Sequence, residues 1–187
     1  MASAKKLQEQ GVAAFRKEDY AAALEKFNEA LAAATDDPTL TAQIYNDIGV
    51  TQKQLEDFPA AHAALDEAWN RFVELNDKKG QAQTLGNRAA VLEDEELLEE
   101  AVETYKQSAT LLEEIGESEM AMYVWQAVSR LRMGQKQYIA AIGAYEEGVE
   151  NMPESSFKRK VLQRLLRLPG NMLGGSFGGS TESEEDE

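Results

Sequence analysis

Side chains able to do chemistry are few in this sequence of 187 residues: one histidine, His62, no cysteine, and an acidic run, "EDEELLEE", at 93–100. A zinc centre draws three or four ligands from Cys, His and carboxylates, and a lone His without Cys does not assemble the common sets. The same count removes a Ser-His-acid or Cys-His nucleophile. The acidic run lacks the alternating oxygen ligands and central Gly of a calcium loop, so it reads as a solvated joint followed by a first helical turn. "GGSFGGS" at 174–180 has no strand before it and no Lys-Ser/Thr after it, which makes it a linker rather than a phosphate loop. Trp69, Trp125, Tyr123, Met120 and Met122 read as packing residues. No enzyme, metal or cofactor is expected, and the chemistry left is that of surfaces.

Those surfaces are acidic. The formal net charge is −15, distributed as −14 over residues 1–153, +4 over 154–169 and −5 over 170–187. A body of that sign repels polyanions, so nucleic acid is not an expected partner. Apolar residues at 43% and charged ones at 28% are ordinary for a folded soluble chain. No apolar run approaches the ~18 residues of a membrane span, and "MASAKKLQEQG" has no apolar region after its cations. A cytoplasmic location is the expectation, and the absence of cysteine suits it.

The elements that would position a surface emerge from internal repetition. Four stretches align: "GVAAFRKEDYAAALEKFNEAL" from Gly11, "GVTQKQLEDFPAAHAALDEAW" from Gly49, "AAVLEDEELLEEAVETYKQSA" from Ala89 and "SRLRMGQKQYIAAIGAYEEGV" from Ser129, offset by 38, 40 and 40 residues. Small residues fill the first column (Gly11, Gly49, Ala89, Ser129). Large ones follow (Tyr20, Phe58, Leu98, Tyr138), then Ala (Ala23, Ala61, Ala101, Ala141). A second large column (Phe27, Leu65, Tyr105, Tyr145) and a second small one (Ala30, Ala68, Ser108, Gly148) complete the unit. The spacing from Tyr20 to Ala30 keeps one helical face, and the small columns let two helix backbones approach. Helices are expected near 3–16, 20–34, 39–54, 58–76, 79–93, 97–115, 118–133, 138–151 and 154–168.

This order of columns resembles the tetratricopeptide repeat over about residues 4–152, and its long period is similar to the kinesin light chain and Leu-Gly-Asn-repeat subclass. The resemblance implies an all-α, right-handed α-solenoid of four such helix pairs plus a C-terminal capping helix. Residues 1–153 form the repeats (about 4–37, 42–77, 82–116 and 122–153), 154–169 a basic amphipathic cap, and 170–187 a disordered Gly-rich linker and acidic tail. It also implies a concave face lined by the first helix of each pair. In the family register that face carries Lys5, Gln8, Val12 and Phe15, then Asn46, Asp47, Val50 and Lys53. Gln83, Asn87, Ala90 and Glu93 continue it, and Tyr123, Gln126, Arg130 and Met133 end it. The Lys/Asn/Arg set with which chaperone adaptors of the family hold a terminal carboxylate is absent. Asn87 falls where the long-repeat subclass uses Asn to hold a ligand backbone, and an amide can both donate to and accept from a peptide bond.

A non-catalytic interaction adaptor or scaffold is therefore expected, with a peptide or partner helix in its groove. The alternative is peripheral membrane contact through 154–168, where Phe157, Val161, Leu162, Leu165, Leu166 and Leu168 oppose Arg159, Lys160, Arg164 and Arg167. Self-association through an open end of the array is a third expectation. For "SFKRKVLQRLLRLPGN", closing the last repeat over Ile139, Ile142 and Val149 is the favoured role.

Overall fold

The computed structural model describes residues 3–34, 36–152 and 154–166. The linker and tail expected at 170–187 lie outside the described residues. Among the described residues the chain is all-helical: α1 (Ala4–Phe15), α2 (Tyr20–Ala33), α3 (Pro38–Gln54), α4 (Phe58–Glu74), α5 (Lys78–Asp94), α6 (Leu98–Glu114), α7 (Ser118–Gly134), α8 (Tyr138–Glu150) and α9 (Phe157–Leu166). Neighbours in sequence pair as antiparallel hairpins, α1 with α2 through α7 with α8, and successive pairs stack into a solenoid closed by α9.

The columns explain the packing. Ala23, Ala61, Ala101 and Ala141 are all fully buried, as the small third column requires where two helices cross. The first column is small because the second large column occupies its space. A Cβ on Gly11 would sit 2.6 Å from the Phe27 ring, and one on Gly49 2.6 Å from Leu65 Cγ. Apolar clusters run across pair boundaries, one joining α1 to α4 and another α5 to α8, so each pair completes the core of the next.

Joints are built alike. Glu18, Glu56, Glu96 and Lys136 inside the pairs, and Asn76 and Gly116 between them, all take left-handed φ values from 53 to 75°. At each, the chain turns back on the helix it leaves. Glu56 N–H donates to the Lys53 carbonyl and Asp57 N–H to that of Gln52, both at 3.0 Å, which satisfies carbonyls a helix end would leave bare. The next helix then starts on an Asp. Asp19, Asp37, Asp57 and Asp77 each accept from a backbone N–H three residues on. The starts of α6, α7 and α8, at Leu97, Glu117 and Gln137, have no such side-chain bond.

Two expectations are corrected at the C-terminal end. The ninth helix starts at Phe157 rather than 154, because Ser156 Oγ accepts from Arg159 N–H at 3.3 Å and sets the cap there. Of the three residues it was expected to close over, Val149 is buried, whereas Ile139 and Ile142 stay open. Ile139 is 90% and Ile142 50% exposed, while Phe157 on α9 is 80% exposed. Val149 is buried, but against Met122 and Met152, so α7 and the end of α8 have already satisfied that side. A polar contact fastens α9 there, with Arg159 Nη1 donating to the Met152 carbonyl at 2.6 Å. No helix among the described residues is long and apolar enough to cross a membrane.

Candidate groove on the inner helices

The inner helices α1, α3 and α5 touch in sequence, and polar rungs cross between them. The residue three before the first column in one repeat meets the residue two before it in the next. Gln8 Nε2 donates to Asp47 Oδ2 at 2.8 Å in the first such pair. In the second, Asn87 Nδ2 donates to Asn46 Oδ1 at 3.0 Å, and Thr84 Oγ1 lies 3.3 Å from the same oxygen and 2.9 Å from the Gly80 carbonyl, between which its one proton is shared. The third interface has Gly86 and Ala127 in these columns, so no side-chain rung can form there.

A cavity of about 490 Å³ lies beside the second rung. Asn46, Gln83, Asn87 and Tyr123 line it, together with Asp47, Gly86 and Val124. Tyr123, whose residue type suggested packing and whose register placed it on the concave face, is 66% exposed, while Met122 next to it is buried. Successive residues point to different sides of α7, and Tyr123 takes the groove side. Asn46 Nδ2 and Asn87 Oδ1 have no partner among the described residues, so the rung keeps one donor and one acceptor for a ligand.

Around the first rung the surface is less polar. Val12, Phe15, Phe27, Val50 and Asp47 line a pocket of about 140 Å³, and Gln8, Glu9, Val12, Arg16 and Asp47 border another of about 400 Å³. Asp47 thus borders all three cavities. Its half-buried carboxyl is pushed up to about 6 by loss of solvent, and the Gln8 hydrogen bond opposes this only in part.

Towards the fourth repeat the charges pair. Arg130 Nη1 and Nη2 donate to Glu93 Oε1 and Oε2 at 2.6 and 2.8 Å, and Tyr105 donates its hydroxyl to Glu93 at 3.4 Å. The Arg130 hydrogen bonds hold the Glu93 carboxyl below its usual value, and burial pushes the Tyr105 hydroxyl up to about 12. Lys53 Nζ is likewise 2.8 Å from Asp94. His62 Nε2 sits 2.8 Å from Glu95 Oε2, away from the groove on the outer helices' side.

The residues expected in the groove therefore divide. Asn46, Gln83, Asn87 and Tyr123 share the larger cavity, and Gln8, Val12, Phe15 and Val50 surround the first rung. Lys53 and Arg130 are tied to third-repeat acids, while Lys5 and Gln126 border none of these three cavities. Sequence reasoning placed Asp47 on this face without a role and missed Thr84 and Gly86. Reading the columns across neighbouring repeats, rather than within one, is the signal that would have found all three.

Stacked hairpins with small-residue crossings and rungs on the inner face define a tetratricopeptide-like helical scaffold. The chain belongs to the SNAP family: the family model described as soluble NSF attachment protein, SNAP, matches residues 2–166. Among curated proteins no sequence match is found. Solved structures share the fold at low identity. A STAND signal-transduction ATPase with a tetratricopeptide repeat sensor from Pyrococcus horikoshii is 17% identical over 78% of this chain and 22% of its own, with a TM-score of 0.69. A putative kinesin light chain from Podospora anserina is 14% identical over 89% of this chain and 86% of its own, at TM-score 0.66. The Rap conjugation gene regulator of a plasmid, solved in complex with the Phr* peptide, is 15% identical over 86% of this chain and 47% of its own, also at 0.66. The chain spans about a fifth of the ATPase and under half of the Rap protein.

Proposed function

We propose that this protein is a non-catalytic cytoplasmic adaptor that holds a peptide or a partner helix along α1, α3, α5 and α7. The observation that carries this is the Asn46–Asn87 rung. Each amide satisfies the other once and keeps one group for a ligand, beside a cavity of about 490 Å³. A donor and an acceptor side by side match a peptide bond and ask nothing of the ligand's side chains. Membership of a family described by attachment to NSF supports a protein partner, and the Rap protein in complex with Phr* shows a related fold holding a peptide.

The test uses twelve-residue random peptides displayed on phage and selected on the full chain, with calorimetry of the recovered sequences. Asn46→Ala and Asn87→Ala are each expected to weaken binding about tenfold, the scale of one net hydrogen bond. Recovered peptides that bind both variants as tightly as the parent would place the site elsewhere.

One observation favours a second reading, peripheral contact with an anionic membrane. Phe157 and Val161 stay exposed on a helix that also carries Lys160 and Arg164. Flotation with anionic liposomes decides it, and a chain that stays with the protein fraction ends this reading. The −14 body opposes such contact.

A further inference from the structure

We infer that Asp47 is a cation-recognition point in the groove, taking a Lys or Arg side chain of the bound peptide with a neighbouring apolar side chain in the pocket beside it. This rests on the groove reading above and adds to it the chemical class of ligand.

The strongest argument is an internal control. Asp47 stands in the same column as Asn87, and both close a rung with an amide from the preceding repeat. The Asn46–Asn87 rung demonstrates that two amides satisfy this geometry, so the fold does not require an acid at residue 47. An acid is nonetheless there, half-buried, with Oδ2 bonded to Gln8 and Oδ1 without a partner among the described residues. Its carboxyl is set by burial and Gln8 alone, and no cation holds it down. A charge withdrawn from water and left unpaired is costly unless a counter-charge arrives, and the attraction is then stronger than on an open surface.

The surroundings suit a cationic side chain with an apolar neighbour. Val12, Phe15, Phe27 and Val50 form a pocket of about 140 Å³ against the same carboxyl. On the polar side, α1 contributes one charge of each sign, Glu9 and Arg16, neither of them paired with Asp47. On α3, Lys53 is occupied by Asp94, and α5 contributes only the amides Gln83 and Asn87 to the shared cavity. The acidic body, at −14, draws cationic segments towards the groove. A lone carboxylate does not make a metal site, and among the described residues no cluster of three metal-ligating side chains exists.

The same displayed library tests this, selected in parallel on the full chain and on Asp47→Asn at pH 7.5. The parent pool is expected to be enriched in Lys or Arg within two residues of an aliphatic or aromatic side chain, and the Asp47→Asn pool to lose the cation while keeping binders. A synthetic peptide from the parent pool should bind Asp47→Asn about tenfold more weakly, with Asp47→Glu recovering part of the loss. It should also weaken several-fold for the parent, and not for Asp47→Asn, between pH 7.5 and 5, as the carboxyl takes up its proton. Circular dichroism confirms that the variant folds. Equal cation enrichment in both pools, or none in the parent pool, overturns the role of Asp47 and leaves the groove standing. A parent chain that selects no peptide overturns the groove reading and this one with it.

Discussion

Two rungs of the same ladder differ in chemistry: the first joins Gln8 to an acid and the second joins two asparagines, with the donor on the earlier repeat in one and on the later repeat in the other. Between the second and third repeats an amide meets an amide, and between the first and second an amide meets an acid, at nearly the same separation. The backbone positions, the columns and the flanking small residues are equivalent. What differs is cost, since two amides can be satisfied by each other and solvent, whereas a half-buried carboxylate keeps the penalty of its lost hydration. The third interface, with Gly86 and Ala127, has no rung and the chain still stacks there, so a rung is not required for stacking. The rungs' place on the inner face is what the groove proposal rests on.

The largest effect expected from breaking this comparison comes from making the rungs alike. In the folded chain Asp47 keeps its proton up to about 6, against an ordinary value of 3.8. The folded state therefore binds more protons than the unfolded one between those values, and stability falls as pH rises from about 4 to about 6, with the deficit persisting above. Asp47→Asn removes that deficit. It should raise stability at pH 7 by on the order of 2 to 3 kcal/mol and remove this component of the pH dependence across that window. Urea unfolding at pH 4, 5, 6 and 7 measures it, and parallel curves for parent and variant would show that the carboxyl is no more burdened than an exposed one.

Equivalence of the columns is the premise, and two glycines sharpen it. Gly49 lies in the first column, where an added Cβ would meet Leu65 at 2.6 and 2.8 Å, so Gly49→Ala should cost roughly 1 to 3 kcal/mol. Gly86 lies in the rung column of the third interface, where the nearest atom to an added Cβ is Ser108 Oγ at 3.6 Å, an ordinary contact. Inside α5, Gly86→Ala should stabilise by about 0.5 to 1 kcal/mol through helix propensity alone. Thermal melting of the pair should move in opposite directions; equal shifts would mean that the first column is not a packing column.

Sequence reading reached the columns because packing between two helices of one pair repeats locally, at fixed spacing. The joints were visible for the same reason, although the left-handed φ at Glu18, Glu56 and Glu96 was not, since no glycine marks those positions. The rungs were hidden, because Asn87 becomes a partner of Asn46 only after the pair-to-pair offset is known. Tyr123 read two ways, as packing by type and as groove lining by register, because packing and lining positions adjoin on α7 and one residue of rotation separates it from the buried Met122. Ile139 and Ile142 stay exposed although α9 packs on the end of α8, where Arg159 reaches the Met152 carbonyl.

The smallest expected effect comes from the other end of the groove and carries the opposite sign in pH. Glu93 is held below its ordinary value of 4.5, first by its hydrogen bonds to Arg130, so it contributes stability that is present above that value and lost as pH falls through the lowered one. Asp47 acts in the reverse sense over an adjacent window. Arg130 has 60% of its side-chain surface open to solvent, and screening reduces what the bidentate pair contributes. Arg130→Ala should therefore cost only about 0.5 to 1 kcal/mol at pH 7 and low salt, less in added salt, and nothing once Glu93 is protonated. Urea unfolding with and without added salt, at pH 7 and pH 3, checks each part. A loss that survives both salt and acid would identify packing by the Arg130 stem, and not the charge pair, as the link between the third and fourth repeats.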